Sequence, residues 1–230
     1  MINIVVLVGP SNCGKDYLRK YLVDKYDFIQ YLKPYTTREK RDNESEDDYY
    51  FNYFPEGFDI MEKRFYEMAD GKTVEYATIF PRYVFDDRIY LVCGTIEMLI
   101  NIISVLFNDT EKSLMWSGKK VKVNPIFIKA DPNQRLLKAV ERMKESGEDP
   151  DEVCRRFIAD SKDFSDWKIK EFNERYKSID RKYLSNFVVI QNNYSYFGFD
   201  MCLSFANIFA DAGFSFIPHK DFKIINKNNE

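Results

Sequence analysis

The first apolar run of the chain, Ile4-Val5-Val6-Leu7-Val8, is continuous, rich in β-branched residues and stopped by Gly9-Pro10. A run of that kind reads as a strand buried on both faces. Tyr17, Leu18, Tyr21 and Leu22 then recur at helical spacing, which predicts a helix over 15–25. Further strands are predicted at 28–32, 49–53, 73–78, 88–93, 123–129 and 186–191, and helices at 58–69, 95–107, 132–145, 150–162, 166–182 and 197–210. Strand runs separated by helical patterns point to crossover units on a mainly parallel sheet, an α/β fold. The stretch 108–122, with Gly118-Lys119-Lys120, reads as an inserted surface loop, and 218–230 as a polar tail. The amphipathic segment Phe197 to Phe209 reads as core, and the alternation from Tyr49 to Phe54 as half-buried sheet.

Composition narrows the classes. A chain of 230 residues that is 45% hydrophobic and 17% aromatic can bury a full core, so general disorder is excluded. Its 34 basic and 37 acidic residues leave a formal charge of -3, so no whole-chain field draws it to nucleic acid or to a membrane. Cys13, Cys93, Cys154 and Cys202 lie far apart with no C-x-x-C pair, which argues against a zinc site or a disulfide framework and fits a reducing cytoplasm. No run of eighteen apolar residues occurs, and the run after Met1 is too short for a secretion signal, so a soluble, cytoplasmic protein is expected. His219, the only histidine, sits in the tail, which disfavours a histidine triad or metal centre.

Candidate chemistry begins at residues 9–16, GPSNCGKD, which satisfy the phosphate-binding pattern G-x-x-x-x-G-K-[ST] at every position but the last. Gly9 and Gly14 permit the close turn in which the amides of Ser11, Asn12 and Cys13 and the start of the following helix converge on phosphate oxygens, with Lys15 reaching the outer phosphates. Asp16 stands where the pattern has a hydroxyl that holds magnesium. A carboxylate there can bind the cation directly, or repel a β-phosphate when metal is absent.

Residues 36–51, TTREKRDNESEDDYYF, resemble the monophosphate-binding signature of guanylate kinases, T-T-R-x-x-R-x-x-E followed by D-Y-x-F. Thr36, Thr37, Arg38, Arg41, Glu44, Asp48, Tyr49 and Phe51 are all in place, although the spacer before Asp48 is one residue shorter and lacks the family glycine. Two guanidinium forks and a phenol suit a phosphate. The likeness continues through Thr73-Val74-Glu75-Tyr76-Ala77, through Arg82-Tyr83, through the strand before the lid at 124–132, and through RLLKAVERMKESGEDPDEVCRRF at 135–157. Its last motif is Val188-Val189-Ile190-Gln191-Asn192-Asn193, and the likeness spans about residues 3 to 210.

The resemblance implies a P-loop three-layer fold in one unit over 1–217. Its core would comprise 1–33, 86–134 and 157–217, with a monophosphate-binding lobe at 34–85 and a helical lid at 135–156. It implies phosphoryl transfer from ATP, with Mg2+, to GMP or dGMP, resting on alignment and charge neutralisation without a protein nucleophile. Lys15 with Arg142 and Arg156 would be catalytic, Arg155 being the neighbouring candidate. Gly9, Ser11, Asn12, Cys13, Gly14, Lys15, Asp16 and Asn192 would bind ATP, with Asp16 the metal ligand. Arg38, Arg41, Glu44, Tyr49, Glu75 and Tyr83 would bind the monophosphate, Glu75 offering two acceptors to the N1 and amino donors of guanine. Leu91 and Cys93 stand where the family has D-x-D, and Pro34 and Phe85 where it has hydroxyls near guanine O6. These departures keep two other readings open: a catalytically silent binding module, and a kinase with a different acceptor base.

Overall fold

The computed structural model describes residues 1–41, 44–52, 61–81, 88–108, 113–192, 194, 205, 208–210 and 213. The fold is α/β. β1 (Ile2–Val8) is flanked in parallel by β6 (Ile89–Gly94) and β9 (Lys119–Ala130), and β2 (Ile29–Tyr31) pairs with β6. Along its far edge β9 carries β10 (Val188–Asn192) in parallel at 126–130, and antiparallel β8 (Ser113–Trp116) at 119–121, with β7 (Phe107–Asn108) outside β8. A second, antiparallel sheet has the order β3 (Tyr35–Thr36), β5 (Thr73–Ile79), β4 (Met61–Glu67).

Every residue of β1 is buried because helices cover both faces of the main sheet. Ile4, Val6 and Val8 face one apolar cluster with α2 (Ile96–Leu106) and α5 (Asp166–Arg175), while Val5 and Leu7 face the other with α1 (Lys15–Lys25). Two further helices, α3 (Pro132–Ser146) and α4 (Pro150–Asp163), meet at a corner written into the sequence. Gly147 closes α3 in left-handed backbone (φ 64), the Asp149 side chain accepts from Asp151 N–H, and Pro150 opens α4.

Four expectations require correction. The segment read as a helix at 58–69 is strand β4 over its described part. Its pattern misleads because the alternation is inverted: Glu62 and Arg64 point inward and Phe65 is 58% exposed. The strand expected at 49–53 is a turn over 51–52, with Tyr50 making only an isolated bridge to Tyr35, whose ring it stacks on. The loop expected at 108–122 contains the β8–β9 hairpin, whose turn residues Ser117 (φ 50) and Gly118 (φ 74) both have positive φ. Buried Leu114 and Trp116 anchor it. Finally, the helix begun at 166 stops at Arg175, and the chain turns so that Ile179, Tyr183 and Leu184 join the core. The expected helix at 197–210 falls mostly outside the described residues, of which Phe205 and Ile208 to Ala210 are helical.

Candidate functional site

The glycine loop lies between β1 and α1, at the C-terminal ends of the parallel strands, where α/β sheets open a crevice. Asn12 (φ 60) and Gly14 (φ 96) supply the left-handed turns. Gly9 has no room for a side chain, since a Cβ there would stand 2.7 Å from both the Ile128 carbonyl oxygen and Cys13 Sγ. The loop is also tied down by side chains from distant elements. Asn192 Nδ2 donates to Cys13 O (2.9 Å), Tyr194 OH to Asn12 O (2.6 Å) and Arg135 Nε to Ser11 O (3.0 Å). Asp160 Oδ2 accepts from Ser11 N–H (2.7 Å) and Arg135 Nη2 (2.9 Å).

Lys15 folds back on this loop, donating to Gly9 O (2.7 Å) and Pro10 O (2.8 Å). Burial works against its charge, but Cys13, Asp16 and Asp160 outweigh burial and hold its pKa above the ordinary value. The ammonium therefore stays charged beside the loop amides and the α1 N-terminus, a combination that suits an anion. Asp16 points outward, 77% exposed, with one long contact of 3.9 Å to Arg19 Nε.

Across the cleft, Arg38 forms a two-pronged pair with Glu44 through both Nη atoms (2.7 and 2.5 Å) and donates from Nε to Tyr76 OH (2.8 Å). Glu44 also accepts from Arg41 N–H (3.0 Å). Burial disfavours its charge, yet Arg38 and the Arg41 amide together lower its pKa. The α3–α4 corner contributes two carboxylates that draw in four guanidiniums. Glu148 takes Arg156 Nη2 (2.5 Å), Arg142 Nη2 (2.9 Å) and Arg41 Nε (3.1 Å). Glu152 takes Arg155 Nε and Nη2 (both 2.8 Å) and Ala69 N–H (3.1 Å). Burial and the neighbouring Arg38 and Arg156 push the Arg41 pKa down, the mark of crowded like charges that an added anion would relieve.

A single cleft joins the two groups. Of the residues singled out in the sequence, it is lined by Gly9, Ser11, Lys15, Pro34, Arg38, Arg41, Tyr49, Cys93, Arg155 and Arg156. Glu44 stands behind Arg38, and Arg142 lies at Glu148, outside this lining. Asn192 is buried, its amide donating to Cys13 O and accepting from Tyr194 N–H, so in this structure it positions the loop. Glu75 lies away from this cleft. Tyr76, its neighbour on β5, lines the cleft, so strand alternation sends Glu75 to the opposite face, opposite exposed Phe65. Tyr83 and Phe85 lie outside the described residues. Among the described residues no cluster of three metal-ligating side chains occurs; of the two carboxylates beside the loop, Asp160 is engaged by Ser11 and Arg135, and Asp16 is the exposed one.

Local sequence reasoning missed Arg64, Arg135, Glu148, Glu152 and Asp160. Arg64 was hidden by the inverted pattern of β4. The buried Arg135–Asp160 pair joins residues 25 apart on two helices, a spacing that leaves no local signature.

The family profile described as guanylate kinase matches residues 1–173. The chain belongs to the guanylate kinase family. A solved member, the guanylate kinase from Anaplasma phagocytophilum, is 18% identical, the match covering 78% of this chain and 97% of that one, with a TM-score of 0.34. The family match takes in the glycine loop, the arginine pair and the α3–α4 corner together. Among the described residues no helix is long and apolar enough to cross a membrane.

Proposed function

We propose that the chain transfers the γ-phosphoryl group of ATP to a nucleoside monophosphate, GMP or dGMP, giving the diphosphate. Membership of the guanylate kinase family supports nucleoside monophosphate kinase chemistry in general. The observation that carries the finer reading is the shared cleft, which has Lys15 and the loop on one wall, Arg38, Arg41 and Tyr49 on another, and Arg155 and Arg156 on a third. Two anion sites facing each other across a closable cleft are what in-line transfer between two nucleotides requires.

In this reading the loop amides and Lys15 hold the donor phosphates. Arg38 and Arg41 hold the acceptor phosphate, and Tyr49 adds a phenol donor. Arg156, with Arg155 and Arg142, meets the charge that develops between them. The segment 135–156 acts as the lid that excludes water. Glu148 and Glu152 keep the guanidiniums paired until nucleotides displace them. The family's magnesium ion takes oxygen ligands, and Asp16 fits as a single carboxylate donor, exposed and held by one long contact only. When bound, the ion neutralises charge on the transferring group.

A specific observation favours the rival reading, a silent binding module: the Ser11 amide and the Lys15 ammonium are already satisfied within the protein. ADP release coupled to a panel of ribo- and deoxyribonucleoside monophosphates separates the two. Turnover with guanine nucleotides, lost in Lys15→Met, supports the kinase. ATP binding without turnover on any monophosphate supports the module, and preference for a pyrimidine overturns the guanine assignment.

A further inference from the structure

Arg64 lines the cleft and is not among the residues assigned above to phosphate. It is 6% exposed, and Tyr66, two residues on and so on the same face of β4, lines the cleft beside it with Met68, just past the strand, and with Tyr49, Tyr76 and Thr95. Its Nε is fully buried and makes no hydrogen bond. The contact of that atom with Glu62 Oε1, at 2.7 Å, is an ion pair without hydrogen-bond alignment. Glu62 is itself wholly buried, so the pair is close to neutral. Tyr76 separates it from the phosphate-type arginines, with Arg38 at the phenol oxygen and Arg64 Cζ 5.7 Å from the ring centroid.

A guanidinium offers donors only, in a planar fork. With its charge already offset by Glu62, and with tyrosine rings around it, that fork suits the acceptor edge of a neutral, stackable base better than a second phosphate. Glu75, the carboxylate that would read the N1 and amino donors, is on the other face of β5. The carboxylates that do line the cleft are engaged elsewhere: Glu152 with Arg155, Asp160 with Ser11 and Arg135, and Asp163 with Lys168.

We propose that Arg64 selects the acceptor base by donating to the paired O6 and N7 acceptors of a 6-oxopurine, while the 2-amino group goes unread. The proposal rests on the kinase reading above. Arginine forks recognise this edge wherever O6 and N7 are presented together. Adenine offers a donor in place of O6 and is rejected, because an N–H would face an N–H in a buried site.

The test uses the full chain with ATP and magnesium, and GMP, IMP, AMP and 7-deazaguanosine monophosphate as acceptors. Expected kcat/KM values for GMP and IMP agree within about threefold, whereas the 7-deaza analogue, lacking one acceptor, falls about tenfold, mainly in KM. Arg64→Lys keeps a cation beside Glu62 but loses the fork, so it should use GMP and the 7-deaza analogue equally. A wild-type chain that uses the 7-deaza analogue as well as GMP, or that loses IMP about thirtyfold or more, overturns the assignment of Arg64 without touching the kinase reading. Absence of transfer to every monophosphate overturns the kinase reading itself.

Discussion

Arg41 Nε lies 3.1 Å from Glu148 Oε1, and this contact joins the segment after β3 to the α3–α4 corner. The same carboxylate receives Arg142 and Arg156, so one group gathers three guanidiniums, of which Arg41 and Arg156 line the cleft. Glu148 is thereby the internal counterpart of the anion that the cleft is proposed to bind.

That arrangement fixes a pH dependence. Burial alone would raise the Glu148 pKa, but Arg156, Arg41 and Arg142 outweigh it and hold the group below its ordinary 4.5. Glu152 is depressed in the same way, burial being outweighed by Arg155 and the Ala69 amide. A carboxylate depressed by folding contributes its full stabilisation above the unfolded pKa and loses it as pH falls through the folded value. Stability should thus be level in these groups above about pH 6 and decline below the carboxylate range. Glu148→Gln should cost about 2 kcal/mol at pH 7, less than for a fully buried pair because Arg41 and Arg142 are partly exposed. Urea unfolding at several pH values measures it, and the gap between variant and wild type should close in acid. A gap independent of pH would refute the assignment.

The Ser11 amide carries a second prediction. Asp160 occupies a loop N–H that a donor phosphate would use, and Arg135 clamps both. Arg135→Met leaves Asp160 buried without its cation and should cost about 3 kcal/mol. Asp160→Ala frees the amide, and ATP should bind about threefold to tenfold more tightly even as the melting temperature falls. Calorimetric titration alongside thermal melts reads both, and weaker ATP binding in Asp160→Ala would mean that Asp160 supports the nucleotide and does not compete with it.

Gly9→Ala tests how tightly the loop is built. The added methyl would meet a backbone oxygen, that of Ile128 in β9, at 2.7 Å, and a strand flanked on both edges cannot move aside. The expected loss is about 2 kcal/mol, with ATP affinity reduced as the loop shifts. Chemical denaturation with unchanged stability would show that the loop gives way.

How much of this was legible in the sequence follows from how each element is coded. The β1–loop–α1 unit is local, with an apolar run, two glycines and a helical stripe in succession, and the structure reproduces its bounds within two residues. The α3–α4 corner is equally local, since Gly147, Asp149 and Pro150 are cap residues. β4 was illegible because its inward side chains are charged, so hydrophobic periodicity pointed away from its real pairing with β5. The face that Glu75 takes was illegible for a related reason: a motif fixes a residue's place along a strand, but only the register fixes its face. The Asp160–Arg135 clamp and the carboxylates that gather the arginines depend on contacts between elements, which no spacing records.

Asp16 offers the last test. It stands beside Lys15 in the first turn of α1, a place that favours an anion through the helix N-terminus yet sets a carboxylate near the proposed donor phosphates. At an effective dielectric constant of about 20, two unit charges about 4 Å apart would interact by about 4 kcal/mol. Asp16 is 77% exposed, so solvent screens most of this, and a repulsion of about 0.7 kcal/mol, roughly threefold in affinity, is the reasonable scale. Asp16→Ser should therefore bind ATP about threefold more tightly in the presence of a chelator, while the two proteins bind magnesium–ATP alike, the wild type having turned its carboxylate from a repelling neighbour into a ligand. Titration of ATP with and without magnesium compares them, and an Asp16→Ser protein with unchanged metal dependence would remove Asp16 from the metal site.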